Sequence, residues 1–299
     1  MEAGPGSVAI VTGANTGIGK ETARGLAALG GVVVLAVRDV AKGEAARAEI
    51  VATTKNERVE VRALDLASRA SITSFAQELA AQHARLDVLV NNAGVWTRTR
   101  QTTTDGFETT FGVNHLGTFL LTRELLPLLE QSALSRIVVL SSGLHYRGKM
   151  VWDDLMFERR AYGGTTAYNQ SKLANVLFTK ALARRLAGKG VTVNAVHPGV
   201  VFTELTRELP SFVRGIAKLF MLTPAEGAAT SLHVALSEEG ERTNGAYFEK
   251  SRPRKAAPAA LDEAAQERLW ELSERLLGLT SSAVAPARAA TPATPATAI

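Results

Sequence analysis

Six runs of β-branched and apolar residues recur along this chain of 299 residues, each separated from the next by a longer amphipathic segment. They read "VAIV" from Val8, "GVVVLAV" from Gly31, "VEVRAL" from Val59, "LDVLVN" from Leu86, "RIVVLS" from Arg136 and "VTVNAV" from Val191. Strand alternating with helix gathers the strands into one mostly parallel sheet, because each helix carries the chain back across the sheet before the next strand begins. Several runs are apolar almost throughout, as strands are when helices cover both faces. A short seventh strand is expected at "GAYF", Gly245 to Phe248, and a last helix from Leu261 to Leu277, with Asp262 near its start and Gly278 just beyond. The fold class expected is α/β: one doubly wound parallel sheet of about seven strands, flanked by helices on both faces.

With 46% hydrophobic and 21% charged residues, the chain has the balance of a folded globular protein. It contains no cysteine, which excludes disulfides, thiolate metal sites, thioester chemistry and sulfur redox switching, and fits a reducing, cytoplasmic location. The amino-terminal "MEAGPGSVAIVTG" has no basic segment leading into an apolar run, so no secretory signal is expected, and no run reaches membrane-spanning length. The net charge of +5 is scattered apart from one cluster, Lys250, Arg252, Arg254 and Lys255, read as a solvated face. From Thr280 the chain is almost all Ala, Thr, Pro, Ser and Val. The expected organisation is therefore one folded domain over 1–279 and a disordered tail over 280–299.

Between the first strand and the first helix stands "TGANTGIGK", Thr12 to Lys20. Gly13 and Gly17 would let the backbone turn tightly against a pyrophosphate, and Gly19 would let the helix pack close to the strand. Asn15, Thr16 and Ile18 share that turn and face the same anion. Such a turn can also be a mere tight connection, but a strand before it and a helix after it suit a Rossmann-type nucleotide site. The second strand ends "LAVRD". Val37 cannot accept hydrogen bonds from a ribose, whereas Arg38 offers a planar fork suited to a 2′-phosphate, so NADP(H) is preferred over NAD(H). Asp39 follows, and could instead cap the next helix. Lys20 reads as an ordinary solvent-exposed lysine.

Taken in order, "TGANTGIG", "DLAS" at Asp65, "NNAG" at Asn91, "VNHLG" at Val113, "SS" at Ser141, "YNQSK" at Tyr168 and "HPG" at His197 resemble the short-chain dehydrogenase/reductase family over about Val8 to Leu277. Longer stretches, among them "DGFETTFGVNHLGTFLLT" and "YNQSKLANVLFTKALARRL", look more narrowly like the retinol dehydrogenase branch. The resemblance implies that Tyr168 is the acid/base, Lys172 its cationic partner and holder of the nicotinamide ribose, Ser142 the hydroxyl that holds the substrate oxygen, and Asn114 a link in a proton relay. The family pattern selects Ser142 over Ser141. It also implies that Asp65 faces the adenine amino group, that Leu66 lends its backbone, that Asn92, Ala93 and Gly94 line the adenosine side, and that Pro198, Gly199, Val201 and Thr203 meet the carboxamide. Physical chemistry suits these roles. A free tyrosine has a pKa of ~10, and a nearby cation favours its phenolate by about one to three units. Residues four apart on a helix share a face.

The function so implied is an oxidoreductase: an NADP(H)-dependent carbonyl reductase or alcohol dehydrogenase interconverting an alcohol with an aldehyde or ketone, apolar and retinoid-like, without a metal. Two other readings stay open: a nucleotide-sugar epimerase or dehydratase of the extended relatives, and a non-catalytic NADP-binding sensor. Relatives in the branch often carry an amino-terminal anchor, and here the first strand lies almost at the start, which counts against membrane residence. The segment Leu209 to Leu222 falls where the family keeps a substrate lid, and its apolar stripe also suits shallow membrane contact. The long stretch between Ser142 and Tyr168 is expected to wall the substrate site, with His145, Tyr146 and Trp152 either touching substrate or serving the structure. The partners expected are a small carbonyl or alcohol substrate and further copies of the chain, as a homodimer or homotetramer, with no nucleic acid.

Overall fold

The computed structural model describes residues 4, 6–132, 134–199 and 222–279. Val201, Thr203, the expected tail from Thr280 and all of the Leu209 to Leu222 segment except Leu222 lie outside the described residues.

The first half of the fold alternates as its sequence pattern demands. Strands β1 (Val8–Thr12), β2 (Val32–Val37), β3 (Val59–Ala63) and β4 (Val88–Asn91) are separated by helices α1 (Gly17–Ala27), α2 (Val40–Thr54) and α3 (Arg69–Gln82). A short helix α4 (Thr109–Phe111) then runs through a π-turn (Gly112–Gly117) into α5 (Thr118–Glu130) and β5 (Ser135–Leu140). The long α6 (Gly164–Arg185) precedes β6 (Val191–His197), and α7 (Pro224–Leu236), α8 (Glu238–Arg242), β7 (Tyr247–Glu249), β8 (Arg252–Arg254) and α9 (Glu263–Leu277) complete the order.

The sheet order is β3-β2-β1-β4-β5-β6-β7-β8. All neighbours are parallel except the last pair, in which β8 runs antiparallel to β7. Strand alternation sends Ile10 and Val34 to a core shared with α3, α5, α6 and α9, while Val11 and Leu35 go to a second core under α1, α2 and α7. The order reverses between β1 and β4, and a doubly wound sheet opens its ligand crevice at such a switch point, beyond the carboxyl ends of the strands.

Eight strands stand where about seven were expected. The extra one, β8, is the Arg-Pro-Arg stretch inside the basic cluster, which has the poorest strand character of any strand here. It forms because Lys250 and Ser251 both take positive φ, 51° and 56°, the geometry of a two-residue hairpin turn. At the sheet edge Pro253 lacks only a hydrogen bond that no neighbour would receive, and its flanking arginines remain exposed. The last helix also starts two residues later than expected, at Glu263, because the Asp262 side chain accepts from the N–H groups of Ala264 and Ala265 and so ends the preceding turn as an N-cap.

Candidate active site

β1, β4, β5 and β6 point the same way, so Gly13, Asn92, Ser142 and Pro198, each just past a strand's carboxyl end, meet along one edge of the sheet. The glycine turn follows β1. Gly13 and Gly17 take φ of 65° and 58°, which a side chain would strain. A Cβ on Gly19 would lie 2.4 Å from Asn92 Nδ2 and 2.5 Å from the Gly13 carbonyl, so only glycine lets α1 approach this closely. A Cβ on Gly17 would meet nothing within 4 Å. The N-cap of α1, Thr16, makes no side-chain capping bond, and the first turn holds no acid. The turn thus presents uncapped N–H groups and the positive end of a helix dipole to open space, which fits the pyrophosphate of a dinucleotide.

Thr12 closes this turn against β4, and sequence reading passed over it. Its hydroxyl accepts from the N–H groups of Asn92 and Ala93, both at 2.9 Å. Asn92 in turn donates its amide to the Thr12 carbonyl at 2.8 Å, so that amide ties two strand ends together. A threonine ending a strand gives no sign of such a partner 80 residues away.

Arg38 is exposed at the end of β2, beside the glycine turn, where Gly13 N–H donates to the Ala36 carbonyl at 2.8 Å. No ion pair engages it among the described residues. Asp39 is engaged: it accepts from the Lys42 N–H at 3.1 Å as the N-cap of α2 and pairs with the Lys42 ammonium at 2.9 Å. Lys20 pairs with Glu49 on α2 at 2.7 Å. Asp65 closes a turn by accepting from the Ala67 N–H at 2.9 Å, and the carbonyl of Leu66 packs against Gly117.

On α6, Tyr168 and Lys172 share a face, with Lys172 Nζ 5.4 Å from the centre of the Tyr168 ring. Lys172 is buried, and its ammonium donates to the Leu140 carbonyl at 3.1 Å, at the end of β5. A Cβ on Gly94 would lie 3.3 Å from both Lys172 Nζ and Asn114 Oδ1, so the backbone after β4 passes directly over the lysine. Burial lowers Lys172 to about 8 and raises Tyr168 to about 12, partly offset by a hydrogen bond from the Ser142 side chain. In the free chain loss of water dominates the Tyr168 phenol, and the lowering expected from the Lys172 cation is not among the influences on it. The chain holds Tyr168 as a protonated phenol at neutral pH.

The two serines separate clearly. Ser141 is buried and donates its hydroxyl to the Lys172 carbonyl at 2.8 Å, fastening β5 to α6. Ser142 is partly open, and its Oγ accepts only a long 3.2 Å bond from the Leu144 N–H besides its interaction with Tyr168. Asn114 is fully buried in the π-turn; its Oδ1 accepts from Val95 N–H at 2.7 Å, and its Nδ2 donates to the Val95 carbonyl at 2.9 Å and to Ser171 Oγ at 3.0 Å. At the end of β6, Gly199 takes φ 88°, and a Cβ there would lie 2.4 Å from Leu222 Cδ1.

His145, Tyr146 and Trp152 all serve the structure. His145 is buried between the Ser142 carbonyl and the Ala257 N–H. Tyr146 donates to the Lys255 carbonyl, and Trp152 packs against the core with the Arg268 guanidinium 4.8 Å from its ring. The stretch from Ser142 to Tyr168 is organised instead around Asp154, whose carboxylate accepts from the N–H groups of Glu158, Arg159 and Arg160. Among the described residues no helix is long and apolar enough to cross a membrane, and no cluster of His, Cys, Asp or Glu suits a metal ion.

Known proteins are similar to this chain in sequence and fold. The family described as short chain dehydrogenase matches residues 7–213. Retinol dehydrogenase 12 of Mus musculus is 50% identical over 277 residues, covering 92% of this chain and 87% of that protein. A crystal structure of an uncharacterized protein from Mycobacterium Paratuberculosis superposes with a TM-score of 0.75 at 37% identity, covering 91% of this chain and 94% of the other. The Pseudomonas aeruginosa RhlG/NADP active-site complex superposes with a TM-score of 0.68 at 26% identity, covering 83% of this chain and 96% of the other.

Proposed function

Because the chain belongs to the short-chain dehydrogenase family, in its retinol dehydrogenase branch, we propose that it is an NADP(H)-dependent oxidoreductase that interconverts an apolar alcohol and its aldehyde or ketone, with Tyr168 as acid/base. The observation that carries the reading is the convergence of Tyr168, Ser142 and a buried Lys172 beside an uncapped glycine turn. Alcohol and carbonyl oxidoreduction with a nicotinamide cofactor follows from the family. The preference for NADP(H), the apolar substrate and the residue roles are this proposal's own.

A nicotinamide cofactor held at the glycine turn and Lys172 would supply or accept the hydride. The Tyr168 and Ser142 hydroxyls together offer two donors to one substrate oxygen. In carbonyl reduction negative charge grows on that oxygen, and donors fixed in place before the reaction stabilise it without reorganising. Tyr168 then gives up its proton, and its position near 12 in the free chain keeps that proton available at neutral pH. Lys172, one helical turn away, keeps its ammonium 5.4 Å from the centre of the Tyr168 ring, and the Leu140 carbonyl fixes its direction. Alcohol oxidation reverses each proton movement. The Asn114 amide is consumed in holding Val95 and Ser171, so the relay role proposed for Asn114 does not run through that amide.

Arg38, exposed and without an ion pair among the described residues, supports NADP(H): the neighbouring acid Asp39 caps α2 and so offers no ready acceptor for a ribose 2′-hydroxyl. The apolar substrate rests on the retinol dehydrogenase relatives. The deciding assay is the purified protein with NADPH and a panel of aldehydes and ketones, followed at the nicotinamide absorbance beside Tyr168→Phe. Turnover that Tyr168→Phe abolishes is expected. Two silent proteins that both still bind NADPH would sink the catalytic reading, and tighter binding of NADH than of NADPH would sink the role of Arg38.

A further inference from the structure

The backbone leaves β4 over Lys172 at Gly94 and continues as Val95, Trp96 and Thr97. Both residues flanking the tryptophan are pinned. Val95 exchanges two hydrogen bonds with the Asn114 amide, at 2.7 and 2.9 Å, and turns its side chain into the core. The Thr97 hydroxyl lies 3.1 Å from that of Thr110 and bonds to the Tyr162 hydroxyl, which donates to the buried Glu108 carboxylate at 3.0 Å. Glu108 is itself fixed, accepting from the N–H groups of Thr110 and Phe111, both at 2.7 Å.

Among the described residues Trp96 alone of the three has no such engagement. It is half-buried, and unlike Val95 and Trp152 it does not pack against either core. Its indole instead lies on the first turn of α6: a Cβ on Gly164 would come within 3.0 Å of Trp96 Cε2 and Cζ2. Gly164 and Tyr168 are four residues apart on that helix, so they lie one above the other on one face. The ring therefore lies on the face of α6 that carries Tyr168, beside the residue one turn before it, held by two clamps that do not involve its own polar atom.

We infer that Trp96 is a specificity-determining residue whose indole forms the apolar wall against which the hydrocarbon part of a carbonyl substrate lies. A rigid aromatic face gives contact area at little entropic cost, and its rigidity here comes from Asn114 on one side and Tyr162 with Glu108 on the other. This rests on the oxidoreductase reading above, and it adds the determinant of substrate length.

The test is a series of straight-chain aldehydes from four to twelve carbons with NADPH. In the wild-type protein kcat/KM should rise about two- to fourfold for each added methylene that reaches the wall. Trp96→Ala should flatten that rise, leave the shortest aldehyde within about twofold and leave NADPH affinity unchanged, while Trp96→Phe should keep most of the slope. An unchanged slope in Trp96→Ala overturns the proposal. Should Trp96→Ala fail to fold, Trp96→Phe and Trp96→Leu carry the comparison, and equal slopes in all three proteins are equally fatal. Should the wild-type protein turn over no aldehyde at all, the oxidoreductase reading fails and the wall is judged by binding. Dodecanol should then shift indole emission to shorter wavelength in the wild-type protein by displacing water from the ring, and not in Trp96→Phe, and the absence of that difference overturns the wall.

Discussion

His145 Nδ1 lies 2.7 Å from the Ser142 carbonyl, and its Nε2 lies 3.1 Å from the Ala257 N–H. One neighbour can only accept and the other can only donate, so the imidazole is neutral with its proton on Nδ1. The ring thereby ties the serine that faces Tyr168 to the segment after β8. Its own flanks are the rings of Tyr146 and Tyr247, with His197 and Glu249 as the titratable groups that face it.

Burial holds His145 below its ordinary 6.5, with the bond to Ser142 and Glu249 working against this. A folded pKa below the unfolded one means that the unfolded chain binds more protons, so stability is full above about 6.5 and is lost as pH falls below it. Wild-type protein should therefore lose melting temperature on acidification from pH 7 to pH 5, and His145→Ala should lose less over the same interval. At pH 7 His145→Ala should itself be destabilised by about 1–3 kcal/mol, since the Ala257 N–H loses its acceptor. A circular dichroism melt at several pH values checks both, and parallel pH dependence of the two proteins would contradict the assignment.

The serine pair predicts opposite phenotypes. Ser141→Ala removes a buried donor from the Lys172 carbonyl and should cost about 1–2 kcal/mol of stability while changing kcat only a few-fold. Ser142→Ala loses a weak 3.2 Å bond to the Leu144 N–H and should change stability by under about 1 kcal/mol, yet lower kcat by about 100- to 1,000-fold as one of two oxygen donors goes. Urea unfolding beside steady-state kinetics separates the two, and an inactive Ser141→Ala with an active Ser142→Ala would reverse the roles.

Much of this was open to a reader of the sequence, and the reason is periodicity. The apolar runs that became β1 to β6 carry their own strand signal, and "TGANTGIGK" and "YNQSK" are local patterns whose spacing encodes a turn and a helical face. What escaped depends on contacts across the chain. Thr12 reaching Asn92 and Ala93, Asn114 gripping Val95, and His145 reaching Ala257 each join residues 19 to 112 positions apart. The strand Arg252–Arg254 escaped for another reason, since its pairing partner and turn create it against its own propensity. The electrostatics divide likewise: the cation near Tyr168 was visible in the spacing, but the depth of burial that raises the phenol to about 12 was not.

Gly19→Ala should be among the most damaging small substitutions in the fold. The added methyl would stand 2.4 Å from Asn92 Nδ2 and 2.5 Å from the Gly13 carbonyl, and the second of these is backbone that cannot swing aside. Because α1 must then move away from β1, we expect a loss of about 1–3 kcal/mol and at least tenfold weaker NADPH binding. Denaturant unfolding and a fluorescence titration with NADPH measure the two, and wild-type affinity in a stable Gly19→Ala would remove the close approach from the argument.

Lys172→Met should be more stable than the wild-type protein at pH 7, and inactive. Burial depresses Lys172 from 10.5 to about 8, so at neutral pH the chain carries a charged ammonium that water would hold better. Methionine fills similar volume without that cost, and the Leu140 carbonyl keeps a partner in Asn175 Nδ2 at 3.0 Å. Between about 8 and 10.5 the unfolded chain binds the additional proton, so wild-type stability rises with pH across that window and the advantage of the variant shrinks. The gain at pH 7 should be at most about 3 kcal/mol and should be nearly gone by pH 10.5. Urea unfolding at pH 7, 9 and 10.5 measures the difference directly. A Lys172→Met protein weaker than wild type at pH 7 would mean that the ammonium gains more from Leu140 and its surroundings than it loses by leaving water.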